Sequence, residues 1–174
     1  LYPPLAIDCM RAGCHVWLEK PPAASVTEVE QMISLEAGTR KVALVALKNP
    51  FLPIIQRLKE ISRRAVSCHP YTSYLTDPRS IPDEGEKDLA TSTAMRGFLD
   101  HIVHPGSIID YVMGEIRHIS YERSPNGGGV MSIKFLNDAT GTLHVTAGRS
   151  NTGHLERVEV IGRNANVVVD NGVE

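Results

Sequence analysis

The sequence predicts two unlike halves, α/β followed by α+β. The first is a layer of parallel strands with crossover helices, and the second is a mostly antiparallel sheet with one long helix. Three observations carry this expectation. Up to Arg64, short apolar runs alternate with amphipathic stretches, an order that requires crossover connections and therefore parallel strands. Met95 to Met113 forms one long helical pattern. From Ile116 onward, β-forming segments follow one another across Gly, Asn and Asp turns.

The first helix is expected after Pro3-Pro4, residues that fit an opening helical turn, with Leu5, Ile7, Cys9 and Met10 as its apolar face and Gly13 as a left-handed stop. His15 to Leu18 follows as a short buried strand. Trp17 inside it reads as a core residue, and Pro21-Pro22 ends it because neither proline has an N–H for a ladder. Ser25 and Glu28 have capping-box spacing, and Val29, Met32, Ile33 and Ala37 continue a helix that Gly38 is expected to close. Val42 to Leu47 reads as a second strand, and Phe51 to Ile61 as a helix running into Arg63-Arg64.

After Arg64 the pattern changes. Val66 to Leu75 contains β-formers, and the turn-rich, acidic stretch from Thr76 to Thr93 reads as a loop. Strands are expected at Ile119 to Arg123, Gly129 to Leu136, Gly141 to Ala147, Val158 to Ile161 and Val167 to Val169, with Gly127-Gly128-Gly129 as a hairpin turn rather than a phosphate cradle.

Bulk composition narrows the function. The chain has 174 residues, 42% of them apolar, and a net charge of −2 from 18 basic and 20 acidic side chains. That balance gives no electrostatic reason for a nucleic-acid or anionic-membrane partner, and no apolar run has the length of a membrane span. A small ligand is expected instead. The three cysteines have no CxxC spacing, so neither a disulfide framework nor a zinc knuckle is indicated and a reducing cytoplasm is the expected compartment. The sequence opens at Leu1 without an initiator methionine or a secretory pattern, and is expected to be part of something longer.

Two runs could carry chemistry. Glu19-Lys20-Pro21 follows a short apolar strand, and in open α/β sheets ligands bind outside the carboxyl ends of the strands. In Gly97-Phe98-Leu99-Asp100-His101-Ile102-Val103-His104, Asp100 and His104 stand one helical turn apart, a spacing that lets a carboxylate orient an imidazole for general acid/base work. Each run has a structural alternative: a lysine at a strand end is commonly solvated, and a helical histidine near Pro and Gly commonly packs or caps. Asp100, His101 and His104 are also metal-ligand types, but an i, i+3 histidine pair is a weak motif and no metal is expected. His15, His69, His118, His144 and His154 lack partners at informative spacing and read as surface or packing residues.

Together, AIDCMRAGCHVWLEKPPA, ALKNPFLPIIQRLKEI, GFLDHIVHPGSIIDYVMG and the closing LERVEVIGRNANVVVDNG resemble the Gfo/Idh/MocA family of NAD(P)-dependent oxidoreductases. The resemblance implies that residues 1–64 are the C-terminal part of a Rossmann-type dinucleotide-binding domain. Residues 65–174 would then be an α+β substrate and oligomerisation domain, with 76–93 as a loop. It implies NAD or NADP as cofactor and a sugar, cyclitol or related polyol as substrate. Lys20 would act on the substrate hydroxyl, and His104, supported by Asp100, would be the proton-transfer partner. Glu19, Lys20, Pro21 and the backbone at Pro3 would lie at the nicotinamide, and a homo-oligomer would form through the sheet. Two departures stand out: the glycine-rich phosphate turn is absent, and Asn49 and Ser107 replace a basic and an acidic residue common in the family. The alternative from another class is a non-catalytic relative that senses a nucleotide or sugar.

Overall fold

The computed structural model describes residues 2–62, 65–73, 92–124, 128–146, 155–163 and 166–170. Among these, the chain divides between Leu47 and Lys48 into two compact units, each described by itself.

The first unit contains α1 (Pro3–Arg11), β1 (Val16–Leu18), α2 (Val26–Thr39) and β2 (Ala43–Val45), with β1 and β2 paired in parallel. Pro3 and Pro4 occupy the first turn of α1, and Gly13 takes a φ of 91° just beyond its end, a backbone that glycine adopts without steric cost. The expected capping box is present: Ser25 Oγ accepts from the Glu28 N–H at 3.3 Å, and Glu28 Oε2 accepts from the Ser25 N–H at 3.1 Å. Gly38 does not close α2. The helix runs one residue further, and Arg40 takes the left-handed C-cap position at φ 57°. Beyond it, Glu36 accepts from the Ala43 N–H at 3.1 Å and His15 Nδ1 accepts from the Val42 N–H at 3.1 Å, so both side chains anchor the start of β2.

Ala6, Leu18 and Met32 form the small core of this unit, with α1 and α2 packed on each other. Trp17 corrects an expectation. It is 73% exposed, because alternation along β1 sends it to the face opposite Leu18, beside Leu44 of β2.

The second unit begins with a 3-10 turn at Asn49–Phe51 and continues through α3 (Pro53–Ile61), β3 (Ala65–Ser73), α4 (Thr93–Met113), β4 (Ile116–Arg123), β5 (Gly129–Phe135), β6 (Thr140–Thr146), β7 (Leu155–Gly162) and β8 (Asn166–Asp170). The division differs from the boundary read after residue 64, and the reason is packing. Ile55 and Leu58 of α3 are 2% and 1% exposed in one cluster with Ile108, Ile109 and Met113 of α4 and Ile133, Phe135, Leu143, Val145, Val158, Val160 and Val169 of the sheet. The apolar face of α3 therefore belongs to the sheet unit.

The strands form one sheet in the order β4-β5-β6-β3-β7-β8. Four of its pairings are antiparallel, as expected, but β3 lies parallel to β6. Period-two burial sends Ile133, Phe135, Leu143 and Val145 toward the helices, while Ser132, Lys134 and His144 are exposed on the other face. Gly129 is fixed by crowding: a Cβ there would strike the Glu122 carbonyl and come within 2.6 Å of the Tyr121 ring. At the end of α4, Gly114 turns the chain at φ 84° and Asn137 Nδ2 donates to the Met113 carbonyl at 2.9 Å. Of the expected loop at 76–93, residues 76–91 lie outside the described residues, as does Gly127 of the expected hairpin turn. Ser92 and Thr93 belong to α4, where Ser92 Oγ accepts from the Met95 N–H at 3.0 Å as the N-cap.

Candidate active site

The candidate residues named from the sequence lie some in the first unit and some in the second. In the first, β1 ends at Leu18, which is buried in the core, and the chain then turns outward. Glu19 is exposed, Lys20 and Pro21 are half-buried, and the Lys20–Pro21 peptide is cis. The sequence places them there because Leu18 of β1 and Ala23 both pack on the α1/α2 core on either side of this turn, while Pro21 and Pro22 have no N–H with which to extend pairing to β2. Pro3 is buried at the first position of α1.

The second unit supplies Asp100 and His104. Both are half-buried on α4, one helical turn apart, and neither side chain is free of partners. Two further contacts set the local backbone. Ser107 Oγ donates to the His104 carbonyl at 2.7 Å, so the hydroxyl at this departure from the family pattern is turned to its own helix. Pro105 lies inside α4 and has no N–H to give the His101 carbonyl.

Two residues to which the sequence assigns no part in hydride transfer, His101 and Asn49, gain a definite setting in the structure. His101 Nδ1 lies 2.6 Å from the Gly97 carbonyl. A carbonyl only accepts, so Nδ1 is the donor in this contact. The i, i+4 spacing from Gly97 to His101 was the available signal, but it looked no different from any other helical pair. Asn49 opens the 3-10 turn after β2 and is only 4% exposed. Asn-Pro reads as a common turn start, which hides a buried amide. Among the described residues, no group of three His, Cys, Asp or Glu side chains is gathered closely enough to hold a metal ion, and no helix is long and apolar enough to cross a membrane.

Nicotinamide and pyrophosphate make different demands on these residues. A half-buried lysine with neighbouring proline at a parallel strand's carboxyl end fits the nicotinamide end of a dinucleotide. The opening of α1 does not fit the pyrophosphate end, because Pro3 and Pro4 remove two of the N–H groups that a glycine-rich turn would offer.

Residues 3–47 match the family described as "Oxidoreductase family, NAD-binding Rossmann fold", the Gfo/Idh/MocA group. Over 179 aligned residues the chain is 24% identical to myo-inositol 2-dehydrogenase of Thermotoga maritima, covering 96% of this chain and 52% of that protein. Among solved structures, levoglucosan dehydrogenase in complex with NADH and L-sorbose superposes with a TM-score of 0.78 at 21% identity, covering 98% of this chain and 51% of that one. The WlbA dehydrogenase of Bordetella pertussis, in complex with NADH and UDP-GlcNAcA, gives 0.79 at 17% identity, with 99% and 53% covered. The likeness to these structures is one of fold. The chain spans about half the length of each of these relatives.

Proposed function

We propose, for a chain whose residues 3–47 carry the NAD-binding Rossmann fold of the Gfo/Idh/MocA oxidoreductases, that the protein transfers hydride between a nicotinamide cofactor, NAD or NADP, and a hydroxyl-bearing carbon of a sugar, cyclitol or related polyol. The observation that carries this reading is Glu19-Lys20-Pro21 at the carboxyl end of β1, inside the segment that matches the NAD-binding family.

Removing hydride from an alcohol carbon requires the hydroxyl proton to leave as well. Lys20 binds the reacting hydroxyl and polarises its O–H. His104 takes or returns the proton, and Asp100, one turn before it on α4, holds the imidazole in orientation. Glu19, Pro21 and the backbone at Pro3 shape the pocket at the nicotinamide, which when bound supplies the hydride acceptor. The polar, exposed face of the sheet, with Ser132, Lys134 and His144, is the surface through which copies of the chain would associate in a cytoplasmic homo-oligomer.

The test is cofactor reduction, followed by the absorbance of reduced nicotinamide, against a panel of neutral polyols. Lys20→Met is expected to lower turnover by roughly 10²–10⁴-fold, the usual worth of a positioned proton-handling group, with the fold intact by circular dichroism. Unchanged turnover in this variant removes Lys20 from the reaction. Ligand binding by the wild type without hydride transfer replaces the dehydrogenase with a sensing relative.

A further inference from the structure

We infer that the Asn49 carboxamide is a recognition group for a neutral hydroxyl of the substrate, and that it selects uncharged polyols over sugar acids. The inference rests on the dehydrogenase reading for the identity of the ligand, and on the burial and hydrogen bonding of Asn49 for the existence of the site.

Among the described residues, Asn49 and Ser62 are the two buried polar ones, 4% and 7% exposed. Ser62 is satisfied, because its hydroxyl donates to the Lys59 carbonyl at 3.2 Å. The Asn49 backbone is used as well, its carbonyl accepting from the Leu52 N–H at 3.1 Å. Its side-chain amide has no hydrogen-bond partner among the described residues. The side chain is thus almost wholly enclosed while its amide donors and acceptor are left without a partner from the described part of the chain.

Access and location bear on that partner. A polar side-chain atom of this unit can be sealed from solvent by the packing around it, as Arg123 Nε is. The Asn49 amide atoms are not sealed in this way, so the little surface Asn49 retains includes its polar tip. The turn that holds Asn49 packs against α4, the helix that carries Asp100 and His104. A partner arriving at this amide therefore arrives beside the helix with the candidate acid/base pair.

The chemistry of the group restricts the partner. A carboxamide offers donors and an acceptor without charge, as a hydroxyl does. A carboxylate or phosphate calls instead for a guanidinium or ammonium, and the adjacent Lys48 is exposed. The same neutral chemistry exists on the cofactor, in its carboxamide and ribose hydroxyls, so the experiment has to separate the two sources.

The test compares wild type with Asn49→Leu and Asn49→Ala. It measures affinity for myo-inositol and for glucuronate by titration calorimetry, KM for NAD by turnover, and Tm for the fold. Asn49→Leu is expected to weaken myo-inositol binding about tenfold or more, leave the KM for NAD unchanged, and hold or raise Tm as the unpaired amide is removed. Asn49→Ala carries the same test if the leucine does not fit. The wild type is expected to bind myo-inositol in preference to glucuronate. Unchanged myo-inositol affinity in a folded variant overturns the inference, as does a change confined to NAD or a wild type that prefers glucuronate. A wild type that binds myo-inositol without reducing NAD, and loses that binding in the variants, overturns the dehydrogenase reading while leaving the Asn49 site in place.

Discussion

Replacing Leu58 by alanine tests the division of the chain, because the residue sits on α3, the helix that sequence order assigns to the first half and packing assigns to the second. Its side chain is 1% exposed and lies in the cluster with Ile108, Ile109, Phe135 and Val160. Truncating so enclosed a leucine loses both its transfer free energy and the contacts around the cavity left behind, about 2–5 kcal/mol. For a unit of this size, each kcal/mol moves the midpoint by roughly 3–5 °C, so a loss near the middle of the range lowers Tm by about 10–15 °C. Hydrogen exchange read peptide by peptide gives the location. Protection is expected to fall in α4 and in β5 to β8, while α1, β1 and α2 keep theirs. Loss of protection in the first 47 residues with an unchanged sheet would show that α3 belongs with the first unit, and would refute the packing argument.

Two further substitutions probe smaller features. Ser25→Ala removes the side chain that accepts from the Glu28 N–H and is expected to cost about 1 kcal/mol, seen as faster exchange in the first turns of α2. Burial pushes the Tyr121 phenol up, partly opposed by the Arg123 cation, and its hydroxyl donates to the Gly128 carbonyl at 2.9 Å. With the folded value above the unfolded value of about 10, this contribution is fully present below pH 10 and is lost as pH rises through the raised value. In alkaline melts the wild type should therefore lose Tm more steeply than Tyr121→Phe, and parallel curves would contradict the assignment.

The legible parts of the fold were those set by local chemistry. The Ser25/Glu28 box, the proline start of α1, the Gly13 stop and the period-two strands of the sheet all follow from interactions within a few residues. What was misread depends on partners distant in sequence. Trp17 lies in an apolar strand, but no described element of its unit covers the face of β1 on which it stands, so hydrophobicity alone misplaced it. The parallel β3–β6 pairing and the allegiance of α3 are likewise tertiary choices. In the candidate site, the helical spacing of Asp100 and His104 was visible, because i and i+4 share a face in any helix. The buried amide of Asn49 was not, since burial is a property of the packed chain.

The central claim is that Lys20 and His104 handle the proton of a polyol while hydride passes to nicotinamide. It is tested most directly by single-turnover reduction of NAD with a polyol deuterated at the reacting carbon, in wild type, Lys20→Met and His104→Asn. The account predicts deuterium transfer to the nicotinamide in wild type, and a fall of roughly 10²-fold or more in each variant with cofactor binding retained. Wild-type rates in both variants, or reduction without deuterium transfer, would contradict it.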